Sequence, residues 1–301
     1  MIVKRARILG YCMGVRKAVD KVLSVSEEAE QIKNASFEAI KPKVFTFGPL
    51  IHNPATMQYL KTRGVNAIDT KTFTGTERLD NSKVVIRAHG VAPQIKEQLK
   101  TGGAEVIDAT CPKVVSSQKR AQKYAKDALV ILAGDRDHGE LVGIAGYAMM
   151  EEGAACLVVQ NAEEARTVEL KGLKEKNGKA VLIAQTTIKK SEYDEIAEIL
   201  KMRIPGLLVL NTICSATFDR QGALKELAEE VESILVIGGK NSANTRRLLN
   251  TALELEKPAW LIEDASQIPE ELFFYNSVGI TAGASTPDFI IEEVEEVLNN
   301  S

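Results

Sequence analysis

The chain alternates short runs of apolar residues with longer stretches in which apolar residues recur every three to four positions. The first pattern predicts buried β-strands, and the second predicts amphipathic helices. In three places a single cysteine separates a predicted strand from the helix that follows it: Cys12, Cys111 and Cys214. Cys111 follows Cys12 by 99 residues, and Cys214 follows Cys111 by 103 residues. This near-constant spacing indicates a threefold internal repeat.

Each third of the chain contains two further strand–loop–helix units, with one more strand-like run between them. A polar residue in the last loop follows the cysteine by 77, 75 or 71 residues: His89, Thr186 and Ser285. The pattern predicts three related α/β domains, each a small, mostly parallel four-stranded sheet flanked by helices. The predicted domains span residues 13–109, residues 110–212, and residues 213–301 together with 1–12. Ligands of open parallel sheets bind beyond the carboxyl ends of the strands, so we expect the chemistry where three sets of loops converge.

Composition limits the kinds of partner and the compartment. The chain has 301 residues and a formal net charge of −3, so we expect no general attraction to nucleic acid or to anionic membranes. No apolar run is long enough for a membrane span or a signal peptide, which predicts a cytoplasmic protein. Four cysteines in such a protein favour metal or redox chemistry over disulfides. Cys156 differs from the other three because it lies inside the apolar run ACLVV, where we predict a buried strand residue.

The three repeated cysteines lack the close C-x-x-C pairs that are typical of a structural zinc site. An iron–sulfur cubane usually takes four cysteine ligands, so a cluster held by three would have one iron free to act as a Lewis acid. A helix N-terminus beside each cysteine would favour the thiolate. The alternative interpretation is that the three thiols are buried and structural.

The three histidines of the chain, His52, His89 and His138, all lie in predicted strand-end loops. Ser242, Asn244 and Ser285 add neutral donors in equivalent loops, two of which are rich in glycine. Such donors beside helix N-termini predict a pocket for a phosphate-like anion. The loops lack the spacing of a nucleotide-binding Walker A motif.

Glu140 and Thr186 each allow two interpretations. Glu140 follows His138 by two residues and is either a first-turn glutamate favoured by the helix dipole or a proton donor in a closed pocket. Thr186 is either a helix cap or a proton relay to Glu140 or to a substrate hydroxyl.

Together these segments resemble the 4-hydroxy-3-methylbut-2-enyl diphosphate reductases, the last enzymes of the non-mevalonate isoprenoid route. The matching motifs, in the family's order from residue 10 to residue 287, are GYCMGV, IHN, RAHGV, DATCPKV, DHGE, QTT, NTICSAT, RQGA, GGKNSANTRRL and TAGAS-P. The resemblance implies a trefoil of three pseudo-symmetric domains around a central [4Fe–4S] cluster with three cysteine ligands and one open iron. The family's reaction removes the allylic hydroxyl as water after two electrons and two protons arrive, and it yields isopentenyl and dimethylallyl diphosphate.

The resemblance also implies roles for individual residues. Cys12, Cys111 and Cys214 would bind iron, and the substrate hydroxyl would bind the open iron. Glu140 would donate a proton with the help of Thr186. The diphosphate would be held by His52, His89, His138, Ser242, Asn244 and Ser285. Thr186 and Ala243 would be further substrate-binding positions. Electrons would come from a protein such as ferredoxin or flavodoxin, because the sequence has no flavin or nicotinamide fingerprint.

Two positions depart from the family pattern. Ala243 stands where many members have a second serine, and Gly139 stands where a proline usually precedes the glutamate, which would loosen that loop. Two other functions stay open at this stage: a quinolinate-synthase-like enzyme with a three-cysteine cluster, and a cluster-based sensor without catalysis. The first would need carboxylate-binding groups in place of KNSANTRR and TAGAS, and the second would not need Glu140.

Overall fold

The computed structural model describes residues 1–35, 40–51, 53–240 and 242–300. Its strands are β1 (Ile2–Arg5), β2 (Lys43–Phe47), β3 (Val65–Ile68), β4 (Ser82–Ile86), β5 (Ala104–Asp108), β6 (Leu129–Ala133), β7 (Cys156–Val159), β8 (Lys179–Ala184), β9 (Gly206–Leu210), β10 (Ser233–Ile237), β11 (Ala259–Ile262) and β12 (Ser277–Ala282). Short apolar runs form these strands, as the sequence predicts.

The helices follow the strands and begin at the polar loops. They are α1 (Met13–Ala35), α2 (Pro54–Thr62), α3 (Pro93–Thr101), α4 (Pro112–Ala125), α5 (Gly139–Ala148), α6 (Ala162–Thr167), α7 (Lys190–Arg203), α8 (Ser215–Ala228), α9 (Ala243–Glu254) and α10 (Asp288–Asn299). Two 3₁₀ turns, Ala265–Gln267 and Glu270–Phe274, lie between β11 and β12. The proline that begins α2, α3 and α4 is tolerated there because the first helical N–H has no partner within the helix.

The strands form three four-stranded sheets of one common order. The orders are β3-β2-β4-β5, β7-β6-β8-β9 and β11-β10-β12-β1. Neighbouring strands are parallel along β2-β4-β5, β7-β6-β8-β9 and β11-β10-β12-β1. In each sheet the strand that precedes a cysteine lies at one edge, beside the strand whose loop contains His89, Thr186 or Ser285. The prediction of three four-stranded parallel sheets flanked by helices is confirmed.

The inner strands are buried on both faces, because helices cover both sides of a parallel sheet. Every residue of β6 (LVILA) and of β10 (SILVI) is buried. Each such leucine, isoleucine or valine contributes about 1.5–3 kcal/mol when it is removed from water. The loops at the carboxyl ends of the six inner strands contain most of the predicted site residues, and the buried strands fix the position of these loops.

Contacts divide the chain into two compact units. The first unit contains Met1–Leu23, Pro49–Asn66 and Ser215–Ser301, and the second contains Ser24–Gly48 and Ala67–Cys214. The strands of each sheet fall within one of the three predicted domain ranges, but the boundaries of those domains stay a prediction. None of the helices in the described ranges combines the length and the hydrophobicity that a bilayer crossing requires.

Candidate active site

One backbone hydrogen bond recurs at all three repeated cysteines. The cysteine N–H donates to a carbonyl in the loop after the neighbouring strand: Cys12 to Ala284 (3.1 Å), Cys111 to Ala88 (2.9 Å) and Cys214 to Thr186 (2.8 Å). Ala284 directly precedes Ser285, and Ala88 directly precedes His89. The repeated bond fixes each cysteine loop next to a loop that contains a predicted site residue.

The three cysteines have matching local surroundings. None forms a disulfide, all are half-buried, and each lies directly before a helix: α1, α4 and α8. Three thiols that form no disulfide and do not lie deep in the core are chemically suited to bind iron. Among the described residues, no group of three or more histidine, cysteine, aspartate or glutamate side chains is arranged to hold a metal ion. The assignment of Cys12, Cys111 and Cys214 as ligands stays a prediction.

Cys156 differs from the other cysteines in both position and environment. It is the first residue of β7, which lies at the edge of its sheet. The prediction of a strand residue is correct, but the side chain is half-buried because an edge strand is covered incompletely. Burial raises the pKa of the Cys156 thiol to about 12, so this cysteine stays protonated at neutral pH.

Glu140 is almost completely buried, with 1% of its surface exposed. Both carboxyl oxygens accept hydrogen bonds from Thr186: Oε1 from the backbone N–H and Oε2 from the hydroxyl, each at 2.7 Å. Burial raises the pKa of Glu140, and the two bonds from Thr186 oppose that rise without cancelling it. The raised pKa makes this carboxyl group easier to protonate, as a general acid requires.

Thr186 links this carboxyl group to a cysteine loop. Its N–H and hydroxyl donate to Glu140, and its carbonyl accepts the N–H of Cys214. The side chain is also buried, with 7% exposed. Thr186 therefore bonds to Glu140 and to the backbone of Cys214 at the same time, an arrangement that the sequence does not reveal.

His138 caps helix α5. Its Nδ1 accepts the backbone N–H of Glu140 at 3.2 Å. Because Nδ1 is the acceptor, the proton of the neutral ring lies on Nε2, which is then a donor. The His89 ring lies edge-on to the His138 ring, with centroids 5.1 Å apart. Two of the three predicted pocket histidines are thus together, next to Glu140.

Gly139 makes room for an arginine that sequence reasoning missed. A Cβ atom at Gly139 would lie 2.4 Å from Nη2 of Arg87, and one at Gly48 would lie 3.3 Å from Nη1. Gly48 also has a φ of +75°, which a side chain disfavours. The guanidinium of Arg87 therefore occupies the space that a side chain at position 139 would take. A proline there would require Arg87 to move.

In the other unit, the predicted neutral donors lie in the loops after the neighbouring strands β10 and β12. Ser242 caps α9 and accepts the N–H of Thr245 at 3.4 Å. The Asn244 Nδ2 and Ser285 Oγ atoms are buried and have no hydrogen-bond partner within the described chain. Buried polar atoms are costly when unpaired, so these two are suited to meet a polar ligand.

The remaining two residues of the predicted pocket are His52 and Ala243. His52 lies outside the described residues. Ala243 is the first residue of α9, so its backbone lies at a helix N-terminus. All of the assigned binding roles stay predictions.

Arg220 is a second residue that sequence reasoning missed. It is 3% exposed, and its guanidinium donates to the carbonyls of Gly10 (2.6 Å) and Ala216 (3.0 Å). Gly10 has a φ of +71° and lies two residues before Cys12. Arg220 therefore fixes the loop that leads to Cys12. The only local signal is a charged residue at a helix position that the apolar pattern leaves facing inward.

Comparison with known proteins places the chain in one family. The family described as "LytB protein" matches residues 3–299. The 4-hydroxy-3-methylbut-2-enyl diphosphate reductase of Treponema denticola is 59% identical over 99% of this chain and 99% of the relative. The reductase of the same name from Treponema pallidum is 44% identical over 99% of this chain and 83% of the relative, and that from Aquifex aeolicus is 37% identical over 95% and 92%.

Solved structures agree with these relatives. A structure of (E)-4-hydroxy-3-methyl-but-2-enyl diphosphate reductase, described as the terminal enzyme of the non-mevalonate pathway, matches with a TM-score of 0.76 and 35% identity over the whole of both chains. The E-1-hydroxy-2-methyl-but-2-enyl-4-diphosphate reductase of Plasmodium falciparum matches with a TM-score of 0.77 and 25% identity, over 99% of this chain and 87% of the other. The predicted fold class and the predicted resemblance to this enzyme family are both confirmed, and the chain belongs to the LytB protein family.

Proposed function

We propose that this chain is a 4-hydroxy-3-methylbut-2-enyl diphosphate reductase that holds a [4Fe–4S] cluster on Cys12, Cys111 and Cys214. The observation that carries the proposal is the hydrogen bond repeated at each of these cysteines, which sets all three in the same local geometry beside predicted site residues. The full-length identity to reductases of this name supports it. The same likeness argues against a quinolinate-synthase-like enzyme or a sensor.

The reaction breaks the allylic C–O bond of the substrate. Two electrons and two protons are consumed: one proton leaves with the hydroxyl group as water, and the other forms the new C–H bond of the product. When bound, the cluster would supply the electrons and, at the iron without a cysteine ligand, a Lewis acid for the hydroxyl. The protein must supply the proton for the leaving group, because hydroxide leaves poorly.

Glu140 is suited to donate this proton. Its buried carboxyl group has a raised pKa and is held in place by Thr186. When the carboxyl group is protonated, it can donate to the Thr186 hydroxyl, whose own proton is then free to turn toward a substrate. Glu140 and Thr186 would together deliver a proton to one fixed point.

The diphosphate would be bound by neutral donors. The candidate donors are His89, the Nε2–H of His138, Ser242, Asn244 and Ser285. His52 and the backbone at Ala243 complete the set that the family resemblance implies. Helix N-termini at α5 and α9 add partial positive charge that favours an anion.

The proposed activity is tested with the full chain purified without oxygen. We expect a brown protein that contains iron and sulfide, whose reduced form is reoxidised by 4-hydroxy-3-methylbut-2-enyl diphosphate with release of isopentenyl and dimethylallyl diphosphate. Product analysis by mass spectrometry checks this result. A brown protein that the substrate does not reoxidise would contradict the proposed reaction but not the cluster.

The anion pocket is tested by Asn244→Ala and Ser285→Ala. Each change should weaken binding of inorganic diphosphate by about 1.5–3 kcal/mol, the contribution of one hydrogen bond to a charged group. Stability should change little, because neither buried donor has a protein partner to lose in the described chain. Titration calorimetry measures the affinity, and thermal unfolding measures the stability.

Ser277→Ala is the matched control, because Ser277 lies at the amino end of β12 and Ser285 follows its carboxyl end. It should leave diphosphate affinity unchanged. Unchanged affinity in the Asn244 and Ser285 variants as well would remove these two residues from the proposed pocket.

A further inference from the structure

Helix α4 has an exposed face with only one sign of charge. Its sequence PKVVSSQKRAQKYA contains four basic residues and no acidic residue: Lys113, Lys119, Arg120 and Lys123. All four side chains are exposed, while the opposite face, which includes Val114 and Ala121, is buried. This positive face, called the α4 face below, belongs to a chain whose formal net charge is −3.

Acidic side chains do not neutralise the α4 face within the described part of the chain. Among the described residues, none of the four basic side chains forms an ion pair, whereas Lys126, just past the helix, pairs with Glu151 at 3.9 Å. Three of the four, with Pro112, Val115 and Ser116, line a shallow groove of about 400 Å³. The face therefore combines unneutralised charge with a shaped surface, as a binding surface for an acidic partner requires.

The position of Lys113 adds a second argument. It lies in the first turn of α4, where the helix dipole disfavours a cation, and the first turn has no acidic residue to offset it. An acidic residue there would stabilise the helix, so the positive charge of Lys113 does not contribute to the stability of α4. The helix that bears these charges begins directly after Cys111, one of the proposed cluster ligands.

We propose that the α4 face docks the acidic protein that delivers electrons to this enzyme. The inference rests on the proposed function, because a reductase without a flavin or nicotinamide motif must receive electrons from a partner. A one-electron carrier bound at the start of α4 would lie next to Cys111, one of the proposed cluster ligands. Each delivery oxidises the carrier and reduces the enzyme by one electron, and two deliveries complete one turnover. Positive charge on this face would also speed encounter with an acidic carrier.

The test uses the triple variant Lys113→Glu, Lys119→Glu and Arg120→Glu in the full-length, cluster-containing enzyme. With a reduced acidic flavodoxin as donor, kcat/KM should fall about tenfold or more at low ionic strength, within the range of electrostatic steering. The rate with reduced methyl viologen, a small donor that needs no docking surface, should stay at the wild-type value. Added salt should slow the wild-type enzyme with flavodoxin and should affect the variant little.

A misfolded variant would also lose its rate with methyl viologen, so that rate separates misfolding from loss of docking. A matched control carries Lys174→Glu, Lys179→Glu and Lys201→Glu, which change the net charge equally. These exposed lysines lie in the same unit, near the amino ends of β8 and β9, away from the cysteine loops. The control should keep the wild-type rate with flavodoxin.

The proposal is overturned if both triple variants lose flavodoxin-dependent activity equally, or if neither does. It is also overturned if the α4 variant loses binding to anionic vesicles or to RNA while its rate with flavodoxin is unchanged, since the face would then serve another polyanion. If the wild-type enzyme is inactive even with methyl viologen, the proposed reaction fails instead. In that case calorimetry of flavodoxin with the wild-type and variant proteins still decides whether the α4 face binds the carrier.

Discussion

Replacing Cys12, Cys111 or Cys214 by serine is expected to remove most of the iron from the protein purified without oxygen. A serine hydroxyl stays protonated at neutral pH and is a poor ligand for iron, so each change removes one of only three protein ligands. Cys156→Ser should keep the wild-type iron content, because this cysteine begins an edge strand and its pKa is raised to about 12. Iron and sulfide per chain, with the visible absorption of the cluster, measure the effect.

Circular dichroism of the metal-free variants separates ligand loss from misfolding. The three cysteine side chains are half-buried, and serine is close in size, so we expect the helical signal to be retained. Equal iron content in all four variants would contradict the assignment of Cys12, Cys111 and Cys214 as cluster ligands.

The fold was predictable because its information is local and repeated. Each sheet comes from four short apolar runs, and the cysteine that follows the last run marks the same position in every repeat. The parallel arrangement follows from alternation of strands with helices. The one error among the cysteines concerned Cys156, whose apolar neighbours in the sequence suggested a buried residue. Burial depends on the position of the strand in its sheet, which the local sequence does not specify.

The site was predictable only in part. The sequence placed Glu140 after His138 but left two interpretations of it open, a helix-dipole glutamate and a proton donor. The structure shows that Glu140 does lie in the first turn of α5 and is also buried against Thr186, 46 residues away. The second contact is long-range, and it is the one that bears on chemistry.

The contacts of Arg220 and Arg87 were not predictable from the local sequence either. Arg220 bonds to Gly10, 210 residues away, and Arg87 fills a space left by Gly139 in a different loop. No local pattern marks either pairing, since both depend on which loops meet after folding. Gly139 had suggested a looser loop, but the guanidinium of Arg87 occupies the vacated space.

Replacing Glu140 by glutamine is expected to lower turnover by about 10²–10⁴-fold, the usual contribution of a general acid. Glutamine can keep both contacts with Thr186, because its amide oxygen accepts the N–H and its amide nitrogen donates to the hydroxyl. It cannot release a proton to a leaving group. The cluster and substrate binding should therefore be retained. Steady-state rates with reduced methyl viologen measure the loss of turnover. The substrate-induced change in the cluster spectrum measures whether the cluster and substrate binding are retained.

Asp137→Asn is the control from the same loop. Asp137 is exposed and lies three residues before Glu140, so its replacement should leave turnover near the wild-type value. Near-normal turnover of the Glu140 variant would show that the proton comes from elsewhere, and Asp137 or a water bound at Thr186 would then be the next candidate.

Replacing Glu140 by glutamine should also change the pH dependence of stability. Because burial raises the pKa of Glu140 in the folded chain, the folded state binds more protons than the unfolded state at pH values between the ordinary value of 4.5 and the raised one. Stability is therefore lost as the pH rises through that window, and it is not penalised below it. Glutamine has no such dependence. The unfolding free energy of Glu140→Gln relative to wild type should thus increase as the pH rises from below 4.5 through that window, as measured by urea unfolding of both proteins at a series of pH values. A difference that stays constant across this range would mean that Glu140 is ionised in the folded enzyme as readily as in water, and it would remove the physical basis for its role as the acid.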